Sequence, residues 1–396
     1  MEQKLIGTTT VFFTERCREK NKGILKLTHP AMLAEEETLR WLDSVHLDDV
    51  AANMDTDLRT AAENALSKGT VLLANTAWKT ADEWEKWLQK DNKKKKRVHL
   101  LALGDVGSTV LTALKLMGGD CIETLGIYDV NPDVCARWET ELNQAAFPWD
   151  YDALPTVEIL TEEQLFDCDM FVFCASKGIP PVGSQVQDVR MVQYEANKGI
   201  ISVFAKKARD AKFEGLFAVV SDPVDPLCRA AFLASNEDEA GHFDGKGLRP
   251  EQVQGYGLGV MNARAAYYAK QNPEFADFLT EGRAFGPHGQ DLVIANSIDN
   301  YDDERSKDLT KLAIEANLRM RELGFKPYVA PAISSAAISL LLTLRGKWHY
   351  SSNFVNGVYM GSKNRTTLGV EIESLPLPDA LFQRIQKAYD GLEMIR

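Results

Sequence analysis

Apolar positions along the chain change their spacing twice. Up to residue 96 the clearest periodicity is helical. Asp57 to Lys68 has helical character and stops at Gly69, a natural C-cap. Thr80-Ala-Asp-Glu83 is a capping box, in which the Thr hydroxyl and the Glu carboxylate take up free backbone amides. Trp84, Trp87 and Leu88 follow on one face, which predicts a helix that buries its tryptophans. From 97 to about 252, short apolar runs alternate with amphipathic stretches. Strands are expected at Val98 to Leu103, Thr124 to Asp129, Met170 to Cys174 and Leu216 to Val220, and helices near 107–118, 132–146 and 188–210. Such alternation predicts βαβ units on a mostly parallel sheet. Beyond Val253 the helices lengthen and strands are less evident, so a further domain is expected there. The chain is thus read as α/β: a mostly helical N-terminal extension (1–96), a doubly wound parallel-sheet domain (97–252) and an α+β domain (253–396).

Composition adds exclusions rather than a function. With 396 residues the chain is long enough for two or three lobes, and 45% hydrophobic with 26% charged residues is ordinary for a globular protein. A formal net charge of -12 repels nucleic acid and anionic membranes, so neither is expected as a partner. The one basic run, Lys93 to Arg97, lacks interleaved aromatics and reads as a solvated linker. Six cysteines at irregular distances, without a Cys-x-x-Cys pair or a Cys/His set, point to reduced thiols in a cytoplasm and to no metal site. No stretch approaches twenty apolar residues, and Glu2, Gln3 and Lys4 are polar, so neither a membrane span nor a signal peptide is expected.

Chemistry enters at Arg97-Val-His-Leu-Leu-Ala-Leu-Gly-Asp-Val-Gly-Ser108, a buried strand running into a glycine turn that opens a helix. Such a turn lets backbone amides approach a pyrophosphate, whose charge the helix N-terminus also favours. Gly104, Asp105, Val106 and Gly107 form the candidate loop, with Ala102 where a first glycine usually stands. The next strand ends at Asp129, where a carboxylate accepts from ribose hydroxyls and repels a 2′-phosphate. A Rossmann-type domain that prefers NAD is the expectation. The alternatives are that Asp129 caps the helix starting at Pro132, or that the glycines make an ordinary strand-helix turn.

Three later motifs, Val219-Val-Ser-Asp-Pro-Val-Asp225, Val253-Gln-Gly-Tyr-Gly-Leu-Gly-Val-Met-Asn-Ala-Arg264 and Phe285-Gly-Pro-His-Gly-Gln-Asp291, together with the glycine loop resemble the lactate/malate dehydrogenase family over about residues 97 to 345. The order and the 24-residue spacing from Arg264 to His288 fit the family pattern. The resemblance implies an NAD-dependent 2-hydroxyacid dehydrogenase. Arg264 matches the family's carboxylate-binding arginine, a planar fork suited to two oxygens. His288 matches its acid/base histidine, which moves a proton while hydride moves to or from carbon. Arg190, seven residues before Asn197, matches the arginine that polarises the carbonyl. Val329 and Ile333 match positions lining the substrate pocket and packing on the nicotinamide. A homodimer or homotetramer is also implied. Malate-type members carry an extra arginine in the loop before Arg190, where Lys177 is the only cation here, so a monocarboxylic 2-oxo or 2-hydroxy acid is expected.

The chain departs from that pattern at two places. Met261 stands three residues before Arg264, where the family has the aspartate that orients the histidine. Ser221-Asp222-Pro-Val-Asp225 has Asp222 where the family has asparagine. Either Asp222 takes over as the partner of His288, or it bonds a neighbouring backbone group. Three alternatives to a lactate-type enzyme follow: a malate-type enzyme, a dinucleotide-binding relative without catalysis, and an NAD-using glycosidase with a metal on Cys and His near Cys228.

Overall fold

The computed structural model describes residues 1–90, 95–177 and 189–395, the side chains of 189–192 excepted. Lys93 and Lys94 of the expected linker and residues 178–188 of the long loop before Arg190 lie outside the described residues. The first 90 residues hold the expected helices and, in addition, four strands. In order these are β1 (Glu2–Ile6), β2 (Thr9–Thr14), β3 (Ile24–Lys26), α1 (Ser44–Ala52), α2 (Thr56–Lys68), β4 (Val71–Asn75) and α3 (Ala81–Leu88). The strands follow a period of two. Phe12, Val71 and Leu73 face Trp41, Leu47 and Ala62, while Val11, Phe13, Leu72 and Ala74 face Trp84. The capping box at Thr80 forms as expected. Trp84 is fully buried and donates from Nε1 to the Asn75 carbonyl at 3.1 Å, whereas Trp87 stands edge-on to it and stays partly exposed. Burying an indole of this size contributes roughly 5 kcal/mol at ~25 cal/mol per Å².

The central stretch forms all four expected strands: β5 (Lys96–Leu101), then α4 (Asp105–Met117), β6 (Ile122–Tyr128), α5 (Pro132–Asn143), β7 (Thr156–Ile159), β8 (Met170–Phe173), α6 (Val189–Asp210), β9 (Leu216–Val219), α7 (Val224–Asn236) and β10 (Val253–Gly255). These six strands lie parallel in the order β10-β9-β8-β5-β6-β7. That is the doubly wound dinucleotide-fold order, and its direction reverses between β5 and β8. The crevice outside the carboxyl ends of those two strands is where such sheets bind ligands.

The remaining chain supplies α8 (Leu258–Ala269), α9 (Phe278–Glu281), the small hairpin β11 (Arg283–Phe285) and β12 (Val293–Ala295), α10 (Asp303–Glu322), a π-helix at Pro331–Ala337, α11 (Ile338–Leu344), β13 (His349–Val355), β14 (Val358–Thr366), β15 (Val370–Ile372) and α12 (Asp379–Glu393). β13 pairs antiparallel with β10, and β14 and β15 extend the sheet until β15 meets β3. One 13-stranded sheet therefore draws on all three stretches of the chain. Buried charge joins them as well. Lys22 and Glu37, both almost fully buried, form an ion pair, and the Lys22 ammonium also donates to the Phe354 carbonyl on β13. Among the described residues no helix is long and apolar enough to cross a membrane.

Candidate active site

The glycine loop sits at the carboxyl end of β5, at the reversal point of the sheet. Ala102 adopts φ 71°, the left-handed conformation that a first glycine would take without strain. A Cβ on Gly107 would fall well inside contact distance of the Ala102 carbonyl oxygen, so the close packing of α4 under the loop requires glycine there. Gly104 is different: it is exposed, and a Cβ there would meet nothing within 4 Å. It is the N-cap of α4 and offers no side-chain cap, which leaves the first amides of a 13-residue helix without a side-chain acceptor. Asp129 accepts from the Leu103 amide at 2.8 Å and from the Asn131 amide at 3.0 Å. It therefore braces the loop; the α5 cap itself is Asn131, which accepts from the Asp133 amide. A carboxylate has lone pairs left over for further donors. Asp105 is tied to Lys326 at 2.9 Å, linking the loop to the segment that carries Val329. Val329 is exposed, and Ile333 lies half-buried on the π-helix, whose Ala332 and Ala336 share a core with Leu103 and Val110 of the loop and α4. An exposed, uncapped helix N-terminus with an open side at Gly104 fits a pyrophosphate.

His288 and Asp222 come together. The imidazole Nδ1 is 3.3 Å from Asp222 Oδ1, and the ring is mostly buried while the carboxylate is half exposed. Asp222 thus stands beside the ring as an acceptor, while Met261 is buried in the core around α8. Asn197, fully buried on α6, donates to the Asp222 carbonyl at 2.7 Å and accepts from the Lys177 amide at 2.9 Å. The arginine-to-asparagine spacing read from sequence therefore has its asparagine end at this site. Arg190 is on α6, and its side chain lies outside the described residues.

Sequence reasoning missed the second acid of the same motif. Asp225, in the first turn of α7, is fully buried, accepts from Ser352 Oγ on β13 and holds the backbone amide of His288. Burial pushes its carboxyl up to about 6 from the ordinary 3.8, and the Ser352 and His288 contacts only partly oppose that rise. Gly257 packs against the same histidine: a Cβ there would come within 2.9 Å of the His288 Cβ. The Asp-Pro-Val-Asp motif puts two acids three positions apart around a helix start, but nothing in it names the partners of the second.

Arg264 lies half-buried on α8. Its guanidinium donates to Asn317 Oδ1 on α10 and, at 3.4 Å, to the Ala313 carbonyl, with the Met261 sulfur 3.5 Å away. Desolvation works against its charge, while Tyr268 and Asp222 favour it, so the Asp222 carboxylate acts on both the histidine and the arginine. Cys228, the candidate metal ligand, is fully buried, and among the described residues no three His, Cys, Asp or Glu side chains converge to hold a metal.

The sheet order and the loop define a dinucleotide-fold protein of the α/β class. No family model matches the sequence. The chain is 24% identical to an L-lactate dehydrogenase of Mesomycoplasma hyopneumoniae over 203 residues, covering 51% of this chain and 58% of that protein. It is 26% identical to a probable malate dehydrogenase of Campylobacter jejuni over 291 residues, covering 69% of this chain and 87% of that one. Its fold is similar to that of the Archaeoglobus fulgidus malate dehydrogenase solved in complex with NADH, with a TM-score of 0.60 and 16% identity over 76% of this chain and 98% of that one. The chain therefore spans little more than half the length of the lactate dehydrogenase it matches. In sequence it is similar to both lactate and malate dehydrogenases, and it shares the fold of the solved malate dehydrogenase.

Proposed function

We propose that the chain is an NAD-dependent oxidoreductase that interconverts a 2-oxo acid and a 2-hydroxy acid carrying one carboxylate. The observation that carries this reading is the His288–Asp222 pair at 3.3 Å, an acid/base couple rebuilt with a new acceptor where the family's usual aspartate is Met261. A protein kept only for binding has no use for that replacement. The backbone of Gly104, Asp105, Val106 and Gly107 would hold the pyrophosphate of NAD, Asp129 the adenosine ribose, and Ile333 the nicotinamide face. When bound, NAD(H) supplies or accepts the hydride.

The rest falls to the chain's own residues. Arg264 exchanges Asn317 for the substrate carboxylate, which its planar fork holds in one orientation. Arg190 polarises the carbonyl, and Val329 lines the pocket. In reduction His288 gives its proton to the carbonyl oxygen from Nε2, and in oxidation it takes the hydroxyl proton back. Asp222 fixes the ring through Nδ1, and Asp225 moors the backbone beneath it. A cytoplasmic homodimer or homotetramer completes the reading, on the same family resemblance.

Steady-state NADH oxidation with pyruvate, longer 2-oxo monocarboxylates and oxaloacetate tests it. Turnover of a monocarboxylate with NADH, and much less with NADPH, is the expected result. A preference for oxaloacetate selects the malate-type alternative. NADH binding without turnover on any substrate selects the binding relative.

A further inference from the structure

A cleft of roughly 760 Å³, sharing no lining residue with the candidate active site, opens where the N-terminal strands meet the loop after α7. That volume lies within the ~300–1,000 Å³ typical of small-molecule sites. Cys17 is exposed in it, between Arg16 and Arg18, and Glu15, Glu19 and Glu36 also line it. The other five cysteines are withdrawn from chemistry by burial: Cys121, Cys135 and Cys228 are core residues, and desolvation raises the thiols of Cys168 and Cys174, the latter to about 12. Reactivity follows exposure and access to the thiolate, so thiol chemistry in this molecule concentrates at one point.

Arg16 supplies the second observation. Its side chain is only 7% exposed and donates through Nη2 to the Met32 carbonyl, yet Nη1 has no hydrogen-bond partner. A buried guanidinium nitrogen left unpaired is costly unless an acceptor joins it. Arg18, held over the Trp78 ring at 5.6 Å and donating to the Asp244 and Gly245 carbonyls, places a second cation on the same wall. Asp244 is already engaged by Arg209 at 2.6 Å.

We infer that Cys17 is a site of mixed-disulfide formation with a low-molecular-weight thiol carrying carboxylates and an ammonium group, the two guanidiniums receiving the carboxylates and the glutamates receiving the ammonium. In the step, the Cys17 thiolate attacks one sulfur of the incoming symmetrical disulfide. A new S–S bond forms to Cys17, the old one breaks, and the departing thiolate takes up the proton that Cys17 released. No further oxidant is needed. The adduct sits one residue from Arg18, which grips the loop after α7, the helix whose first turn carries Asp225.

The test treats the reduced, full-length protein with oxidised glutathione and, separately, with the uncharged 2-hydroxyethyl disulfide, following intact mass and mapping the modified peptide. Each rate is normalised to that of free N-acetylcysteine with the same reagent. One glutathionyl group per chain is expected, on the Cys17 peptide, with a normalised rate at least about fivefold above that of the neutral reagent. Cys17→Ser should take up none, and Arg18→Gln, checked for an unchanged melting temperature, should lose the preference. Modification spread over other cysteines, no adduct at Cys17, or equal normalised rates for the two reagents in the wild-type protein would each overturn the inference.

Discussion

His288 is held from two sides by acids of one short motif, and the two acids are expected to fail differently when changed. Asp222 meets the ring, so Asp222→Asn should leave substrate binding near normal and lower kcat by about 10²-fold, the usual scale of a misdirected acid/base group; steady-state kinetics separate kcat from KM, and an unchanged kcat contradicts the pairing. Asp225 meets the backbone and is fully buried. Its folded-state pKa, about 6, lies above the unfolded value near 3.8, so its contribution to stability is fully present below the unfolded value and is lost as pH rises through 6. The loss is roughly 3 kcal/mol, from about 1.4 kcal/mol per unit. Asp225→Asn keeps one acceptor oxygen of the same shape but cannot ionise. Urea unfolding from pH 4 to 8 should therefore show the variant gaining on the wild type across that window; parallel curves would contradict the assignment. The contact between His288 and Asp222 could be anticipated from the sequence because both residues stand in short motifs. Those of Asp225 could not, because its partners Ser352 and His288 are 127 and 63 positions away and only the sheet brings β13 under α7.

At the level of elements, the two glycines of the α4 loop do separate jobs. Gly107 lets α4 pack against the Ala102 carbonyl, so Gly107→Ala should lower the melting temperature and abolish NADH binding together. Gly104 faces open space, so Gly104→Ala should leave the melting temperature unchanged yet weaken NADH by about tenfold or more, since the new methyl occupies the approach of the pyrophosphate. Fluorescence titration with NADH beside thermal melts checks both; equal NADH affinity for Gly104→Ala and the wild type would place the cofactor elsewhere. Strands of the central domain announced themselves as apolar runs bounded by turns, and each formed within a few residues of its expected place. β2 and β4 did not, although they are as buried. Thr9-Thr-Val-Phe-Phe-Thr and Val71-Leu-Leu-Ala-Asn are too short for periodicity to separate a strand from a helical fragment, and their partners are set by distant chain. The helix at Thr80 was legible because a capping box is a signal contained in four residues.

For the whole molecule, the first 90 residues are part of the sheet rather than an appendage. β3 lies between β4 and β15, and the Lys22–Glu37 pair reaches the β13 carbonyl of Phe354. Removing one member of a buried ion pair leaves the other charge uncompensated, so Lys22→Met or Glu37→Gln should cost about 3–5 kcal/mol in urea unfolding. A loss below about 1 kcal/mol would mean that the pair carries no such weight. The same sheet places the glycine loop, Asp222 and Asp225 at strand and helix ends, and dehydrogenase chemistry requires them to work as a unit. The most direct test is single-turnover oxidation of bound NADH by the preferred 2-oxo acid in the wild type and in His288→Gln, with NADH affinity measured on both. Equal NADH affinity and a hydride-transfer rate at least about 10³-fold lower in the variant are expected. A variant that binds NADH and transfers hydride at the wild-type rate would contradict this role of His288.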